Sequence, residues 1–153
     1  MRGEHTVRIN QPAEAVFALI ADGSQNASWR PGVIEVSRGS GDGGEGTVWR
    51  QLTHGPAGKP ADSDYVVTTF RRPHQYGYEV IGGPVRGTGV YTLSERAPGE
   101  TTVSLSLTLV PRGAMRLLTG FVLRQLVDEL DSLERLRDLL SLSAGGPAQP
   151  PSA

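Results

Sequence analysis

The sequence has no cysteine among its 153 residues. It therefore offers no disulfide framework, no thiolate ligand for zinc and no cysteine nucleophile. It also has no excess of charge of one sign. The chain contains 15 Lys and Arg residues and 16 Asp and Glu residues, which gives a formal net charge of -1. A chain so balanced lacks the attraction that recruits nucleic acid or an anionic membrane surface, so we expect no nucleic-acid partner.

Long hydrophobic runs are absent as well. The first ten residues lack the apolar stretch of a secretory signal, and no segment approaches the roughly 20 apolar residues that a membrane span needs. The sequence therefore predicts a protein without a membrane span, located in the cytoplasm. Its length fits one domain with a sizeable core.

The three histidines, His5, His54 and His74, are scattered along the chain. They form no H-x-x-x-H or H-E-x-x-H pair, so we expect no metal site. The segment 39–44 matches the glycine pattern of dinucleotide-binding loops, but a predicted strand follows it where such loops need a helix. This segment is predicted to be a hairpin loop, and no cofactor is expected.

The remaining sequence divides into helical and extended segments. Residues 5–9 alternate as a strand, and Asn10-Gln11-Pro12 is typical of a helix start, followed by a helix that ends near Asp22-Gly23. A second short helical or turn segment covers 24–31. Six strands separated by Gly- and Pro-bearing turns are predicted at 33–38, 46–54, 63–71, 76–81, 85–93 and 102–109.

The last predicted strand and the segment after it show the clearest periodicity. Apolar and polar residues alternate through 102–109, which predicts a strand with one buried and one wet face. After Pro111 the period becomes helical, and a leucine-rich stripe predicts one helix near 113–141 that lies across the sheet. The stripe residues expected to face the sheet are Leu117, Phe121, Leu126, Leu130 and Leu133. Residues 143–153, rich in Ala, Gly and Pro, are predicted to be a disordered tail after a single domain at 1–142.

This order of elements resembles the helix-grip fold of the START/Bet v 1-like (SRPBCC) superfamily, in its polyketide cyclase/dehydrase-like branch. The segments that carry the resemblance are 11–17, 29–33, 46–50, 87–93 and 101–103. The resemblance implies an α+β fold in which a curved antiparallel sheet of about seven strands wraps around a long C-terminal helix, with two short helices after the first strand. In that fold the loop at 39–44 sits over the mouth of a cavity.

The resemblance implies that the chain binds a hydrophobic or aromatic small molecule in a cavity between sheet and helix. A cavity of about 300–1,000 Å³ is expected. Two alternatives remain: a cyclase/aromatase-like enzyme, and a non-catalytic protein-interaction domain. The chain is expected to be a monomer or a homodimer.

Strand parity, the two tryptophans and the stripe of the C-terminal helix together predict which residues line the cavity. The predicted ligand-binding residues are Trp29, Trp49, Tyr65, Val67, Tyr78, Val80, Gly87, Gly89, Tyr91, Leu105, Leu107, Leu117 and Phe121. On strand 46–54, Val48 and Leu52 compete with Trp49 and Gln51 for the inward face. Gly87 and Gly89 indicate either space for a ligand or a bulge in the strand. The tryptophans are either core residues or a ligand wall.

Few residues qualify as catalysts. His54, Tyr78 and Arg86 are the candidates, since Asp64 and Glu79 lie on the parity opposite to the tyrosines. An inward arginine can clamp a carboxylate or enolate, and Arg30 and Arg50 follow the two tryptophans directly. Without a recognisable acid–base pair, the sequence favours binding over turnover.

Overall fold

A computed structural model describes residues 1–145 as eight strands and three α-helices. In chain order they are β1 (Arg2–Ile9), α1 (Ala13–Ala21), α2 (Asn26–Trp29), β2 (Val33–Ser40), β3 (Val48–His54), β4 (Pro60–Asp62), β5 (Tyr65–Arg71), β6 (Gln75–Val80), β7 (Val85–Ala97), β8 (Glu100–Pro111) and α3 (Thr119–Gly145). Short 3₁₀ segments occupy Gly23–Gln25, Pro56–Gly58 and Gly113–Leu117. The seven predicted strands are all present, and β4 is an addition that the sequence did not predict.

The strands form one antiparallel sheet in the order β1-β8-β7-β6-β5-β3-β2, with β4 paired to β3. The long β7–β8 hairpin stands near one end of this order and carries the alternation predicted for 102–109, with Val103, Leu105 and Leu107 buried. α3 packs across the concave face against β1 and β8. Within residues 1–145, no helix combines the length and the apolar character that a membrane crossing requires.

The start of α3 differs from the prediction of one helix near 113–141. Gly113 adopts a left-handed conformation (φ 58°), residues 113–117 form a 3₁₀ segment, and Leu118 leaves helical geometry before α3 begins at Thr119. A 3₁₀ segment has three residues per turn instead of 3.6, so Leu117 rotates off the apolar stripe. Leu117 is 84% exposed, and its predicted place on the sheet-facing stripe and in the ligand site is wrong.

The rest of the predicted stripe faces the sheet. Leu126 and Leu133 are buried, and Phe121 and Leu130 are partly buried against the same core. α3 continues to Gly145, three residues beyond the predicted domain end at 142. The remainder of the predicted tail, residues 146–153, lies outside the described residues.

The start of α1 is held by a residue from another element. Pro12 precedes the helix and gives no side-chain cap, and Glu95 of β7 takes the place of a capping side chain. Its carboxylate accepts from the backbone N–H of Ala13 at 2.8 Å and of Gly99 at 3.0 Å. These two hydrogen bonds favour the charged form and lower the pKa of Glu95. The contact joins α1 to the β7–β8 hairpin.

Candidate functional site

The concave face of the sheet is lined by the residues that strand parity predicts. The strand residues buried here are Trp49, Tyr65, Val67, Tyr78, Gly89, Tyr91, Leu105 and Leu107, and Val80 and Gly87 are partly buried. Trp29 of α2 is buried against the same interior, and Phe121 of α3 is partly buried. The sequence left open which face of β3 points inward. In the structure Trp49 and Gln51 point inward and are 5% and 4% exposed. Val48 and Leu52 lie on the other face and are only partly buried.

The two glycines of β7 create neither an empty space nor a bulge. The β7–β8 pairing runs through them without a register shift, Gly87 facing Leu109 and Gly89 facing Leu107. A Cβ at Gly89 would lie 2.5 Å from the Tyr78 ring, and one at Gly87 would lie 2.0 Å from the carbonyl oxygen of Thr108. The glycines therefore admit the Tyr78 ring and the β8 backbone to positions that a side chain would block.

A buried hydrogen-bonded group stands beside this face. The amide of Asn26 in α2 donates to Gln51 Oε1 at 2.9 Å and to the Tyr65 hydroxyl at 2.8 Å. Both of its N–H groups are thereby used, which is what a fully buried amide requires. Sequence reasoning did not select Asn26, because no spacing rule connects it to partners 25 and 39 residues away.

An ion pair lies between this interior and α3. Arg30 Nε donates to Glu129 Oε1 at 2.5 Å, with the two side chains only 8% and 17% exposed. The guanidinium carbon also lies 5.7 Å from the centre of the Tyr78 ring, a cation–π distance. Burial alone would lower the pKa of Arg30, but Glu129 and the phenols of Tyr78 and Tyr91 raise it well above its ordinary value. Arg30 is therefore a permanently charged group inside the fold.

All four tyrosines of the chain lie in this interior. Their rings contact one another, Tyr65 with Tyr78 at 5.4 Å between centroids and Tyr91 with both Tyr76 and Tyr78. Burial raises the pKa of each phenol above its ordinary value, although the Arg30 charge acts in the opposite direction. The phenols are therefore neutral hydrogen-bond donors at physiological pH.

Several buried polar atoms have no hydrogen-bond partner among the described residues. They are Nε1 of Trp29 and Trp49, the hydroxyls of Tyr76 and Tyr91, and Oε1 of Gln125. Trp29 and Tyr91 meet edge to face at 6.1 Å, so two of these groups are close neighbours. A buried polar group without a partner costs about 1–3 kcal/mol, so each of these atoms retains an unused capacity for hydrogen bonding.

A cleft of about 210 Å³ opens between the end of β3 and α3. This mouth cleft is lined by Pro31, Gly32, Thr53, His54, Phe121, Gln125, Asp128 and Glu129. A further space of about 20 Å³ shares Thr53, His54, Phe121 and Gln125 with it and continues towards Val85 and Met115. Both are smaller than the cavity expected from the sequence, because the tyrosine rings and the Arg30–Glu129 pair occupy the interior behind them.

The glycine-rich segment at 39–44 spans the last two residues of β2 and the first part of the predicted hairpin connection to β3. Gly43 N–H donates to Thr47 Oγ1 at 2.8 Å, and Gly44 N–H donates to Asp42 Oδ1 at 2.9 Å. Gly43 and Gly44 border a surface cleft of about 490 Å³ beside α1, together with Trp49 and Phe70, and do not line the mouth cleft. The placement over the cavity mouth implied by the resemblance therefore differs from the structure.

The three catalytic candidates separate in the structure. His54 is exposed at the end of β3 and lines the mouth cleft, whereas Tyr78 lies buried beneath Arg30. Arg86, the second residue of β7, donates from Nε to the carbonyl of Gly83 at 3.0 Å, so its side chain is held by the turn that precedes the strand. The arginine that does reach the interior is Arg30. Within residues 1–145 no cluster of His, Asp and Glu has metal-binding geometry.

The raised tyrosine pKa values predict an unusual alkaline titration. We expect no tyrosinate absorbance near pH 10, the ordinary phenol pKa, in the folded protein. Because the unfolded chain releases these protons more readily, stability falls as pH rises above 10, and the four phenols ionise together with unfolding. Ultraviolet absorbance and circular dichroism recorded on the same samples check this. A tyrosinate step near pH 10 with unchanged circular dichroism would contradict the buried cluster.

Comparison with known proteins agrees with this geometry. A solved aromatase/cyclase, Zhui of Streptomyces sp. R1128, shares 22% sequence identity and superposes with a TM-score of 0.73, covering 95% of this chain and 98% of its own. A START superfamily protein of Mycobacterium smegmatis gives 14% identity and a TM-score of 0.73, covering 91% of this chain and 98% of its own. A protein of Thermus thermophilus gives 18% identity and a TM-score of 0.77, covering 95% of this chain and 100% of its own.

These likenesses establish the START/Bet v 1-like helix-grip fold that the sequence predicted. No curated protein sequence matches significantly. The model of the family described as polyketide cyclase/dehydrase and lipid transport matches residues 2–140, nearly the whole described chain. The chain therefore belongs to the polyketide cyclase/dehydrase and lipid transport family.

Proposed function

We propose that this protein binds a planar, hydrophobic small molecule that carries several hydrogen-bond acceptors, and that the molecule enters through the mouth cleft. The observation that carries the proposal is a pair of unpartnered donors on neighbouring rings in an aromatic interior of the described chain, Trp29 Nε1 and the hydroxyl of Tyr91. Apolar walls with a few convergent polar groups are the usual profile of a small-molecule site.

The distribution of donors and acceptors supports a ligand with carbonyl or phenolic oxygens. Deep in the interior the unpartnered donors are the indole N–H of Trp29 and the phenol of Tyr91, whereas Gln125 Oε1 is an unpartnered acceptor at the mouth cleft. An oxygen-rich inner end of the ligand accepts hydrogen bonds from the buried N–H and O–H donors. A hydroxyl at its outer end donates to Gln125 Oε1. Phe121 gives the cleft an apolar wall.

The Arg30–Glu129 pair stands between the mouth cleft and the tyrosines. Glu129 lines the cleft, and Arg30 lies over Tyr78 behind it. A ligand that reaches Tyr91 must separate Arg30 from Glu129 or form hydrogen bonds with them. We therefore expect binding to require movement of α2 against α3, because the ion pair joins α3 to the residue that follows α2.

Isothermal titration calorimetry with two probes of similar size tests the proposal. We expect an acetylnaphthol, which offers a carbonyl and a hydroxyl, to bind at least tenfold more tightly than an ethylnaphthalene, a difference of about 1.4 kcal/mol. Equal affinity for the two probes would show that the unpartnered donors do not contribute to binding. Failure of both to bind at high micromolar concentration would overturn the proposal.

A pair of tyrosine variants separates ligand contacts from structural ones. Tyr91→Phe removes a buried hydroxyl without a partner among the described residues, so we expect equal or higher stability and acetylnaphthol binding about three- to tenfold weaker. Tyr65→Phe removes the acceptor of a buried Asn26 N–H and should cost about 1–3 kcal/mol of unfolding free energy. Urea unfolding and calorimetry on both proteins check the contrast. Weaker folding of Tyr91→Phe with unaltered binding would contradict it.

A cyclase-like activity is the second candidate, and one observation favours it. His54 and Glu129 line the same cleft, one on β3 and one on α3, although the sequence offered no acid–base pair. A poly-β-keto compound bound there meets groups able to move a proton. If the protein is an enzyme, His54→Ala lowers turnover about a hundredfold or more and leaves binding intact. An unchanged rate would exclude His54 from the reaction.

A further inference from the structure

The outer side of β1 presents two features that the ligand site does not use. β1 is the end strand of the sheet and pairs with β8 alone among the described strands, so one of its backbone edges is unpaired. On the flank of α3 beside this edge, Leu123 and Val127 are 53% and 43% exposed, one helical turn apart. Unpaired edges and exposed apolar side chains are both places where another chain associates.

The two features lie at the same end of β1. A Cβ at Gly3 would touch Leu130 at 2.6 Å and Leu126 at 3.6 Å, which places this part of α3 directly over Gly3. Further along, His5 Nε2 and Glu134 Oε2 lie 2.9 Å apart, so α3 runs alongside β1 in the same direction. Val127 precedes Glu134 by two helical turns and Leu123 precedes Val127 by one, so both lie on the flank of α3 that carries Glu134, next to the first residues of the strand.

The charged side chains on this part of β1 are complementary to those of a second, antiparallel copy of the same strand. Arg2 and Glu4 lie on one face of the strand, 3.5 Å apart, with side chains 69% and 67% exposed. In an antiparallel pair of identical strands centred on Gly3, Arg2 of each copy faces Glu4 of the other. Opposite charges in directly facing positions stabilise such a pair.

We propose that a second copy of this chain occupies the β1 edge, in a symmetric antiparallel pairing about Gly3. The unpaired backbone N–H and C=O groups of the two strands then hydrogen-bond to each other. Arg2 of each copy forms an ion pair with Glu4 of the other. The Leu123 and Val127 flanks of the two α3 helices meet across the same axis. An isologous contact of this kind is the commonest form of closed assembly, and it extends the sheet across both copies.

Charge reversal at the two positions tests the proposal, with mass measured by size-exclusion chromatography and light scattering. We expect wild-type protein to reach twice the 16.3 kDa mass of the chain as concentration rises. Arg2→Glu and Glu4→Arg should each raise the dimer dissociation constant at least tenfold, while Arg2→Glu/Glu4→Arg together should restore it. The double variant also restores the ion pair within each chain, so an equimolar mixture of the Arg2→Glu and Glu4→Arg proteins isolates the contact between copies. The mixture should dimerise, because opposite charges then face each other across the axis while the pair within each chain stays repulsive.

An apolar variant tests the helix flank. Val127→Asp should abolish the dimer, whereas Leu142→Asp, at an exposed apolar position near the other end of α3, should leave it intact. Circular dichroism melting establishes that each variant is folded. A wild-type chain that stays monomeric up to millimolar concentration, or a dimer indifferent to every one of these changes, would overturn the proposal. The mouth cleft contains none of the residues changed here, so its titration is independent of this outcome.

Discussion

Glu129→Ala is expected to lower the free energy of unfolding by about 3–5 kcal/mol, the cost of removing one partner of a buried ion pair. The variant leaves the Arg30 guanidinium charged, 8% exposed and without the carboxylate that it contacts. Its permanent charge prevents relief by deprotonation, since its pKa lies far above neutrality. Urea unfolding at neutral pH measures the effect.

The neighbouring Asp128→Ala is the matched control. Asp128 also lines the mouth cleft, but its side chain is 53% exposed and its ion pair is with Arg124 on the helix surface. We expect a change within about 0.5 kcal/mol. The double variant Arg30→Met/Glu129→Leu should recover much of the loss, because it removes both charges together. Equal effects of Glu129→Ala and Asp128→Ala would refute the buried pair.

Leu133→Ala is expected to cost about 2–5 kcal/mol, because Leu133 is fully buried where α3 meets the sheet. Leu117→Ala removes the same atoms from a side chain that is 84% exposed, so we expect a change within about 0.5 kcal/mol. The two leucines belong to one stripe in the sequence, and only the 3₁₀ segment before α3 separates their environments. Urea unfolding of both variants measures the difference.

A large loss in Leu117→Ala would indicate that α3 begins before Thr119 and that the helix is continuous, as the periodicity alone suggested. A small loss in Leu133→Ala would mean that the helix does not pack on β1 and β8 through this residue. Each result would contradict a different part of the described fold.

The sequence predicted the elements whose patterns depend on local periodicity. β8 alternates without interruption, and most of the α3 stripe recurs at helical spacing, so both were correctly assigned. β3 was ambiguous because each face carries a large apolar residue, Trp49 on one side and Leu52 on the other. Its inward face is decided by Asn26, which satisfies the buried amide of Gln51 and comes from a different element.

The site was less predictable than the fold, because its central contact is non-local. Arg30 and Glu129 are 99 residues apart, and among many arginines nothing in the local pattern distinguishes the one that points inward. Helical spacing places Glu129 near the edge of the apolar stripe but does not indicate its partner. The glycines of β7 were recognised as unusual, yet only the structure reveals that Tyr78 fills the place of a side chain at Gly89.

The two indole N–H resonances of the chain give the most direct test of ligand binding in this interior. In a nitrogen–proton correlation spectrum, each tryptophan contributes one indole signal, and Trp49→Phe assigns the pair. Neither indole N–H has a partner among the described residues, but the Trp29 ring contacts Tyr91, whereas Trp49 borders the separate surface cleft beside α1. Titration with the acetylnaphthol should therefore shift the Trp29 signal in a saturable, equimolar way and leave that of Trp49 nearly unmoved. A Trp29 signal that stays in place at saturation, whether or not Trp49 responds, would contradict the account.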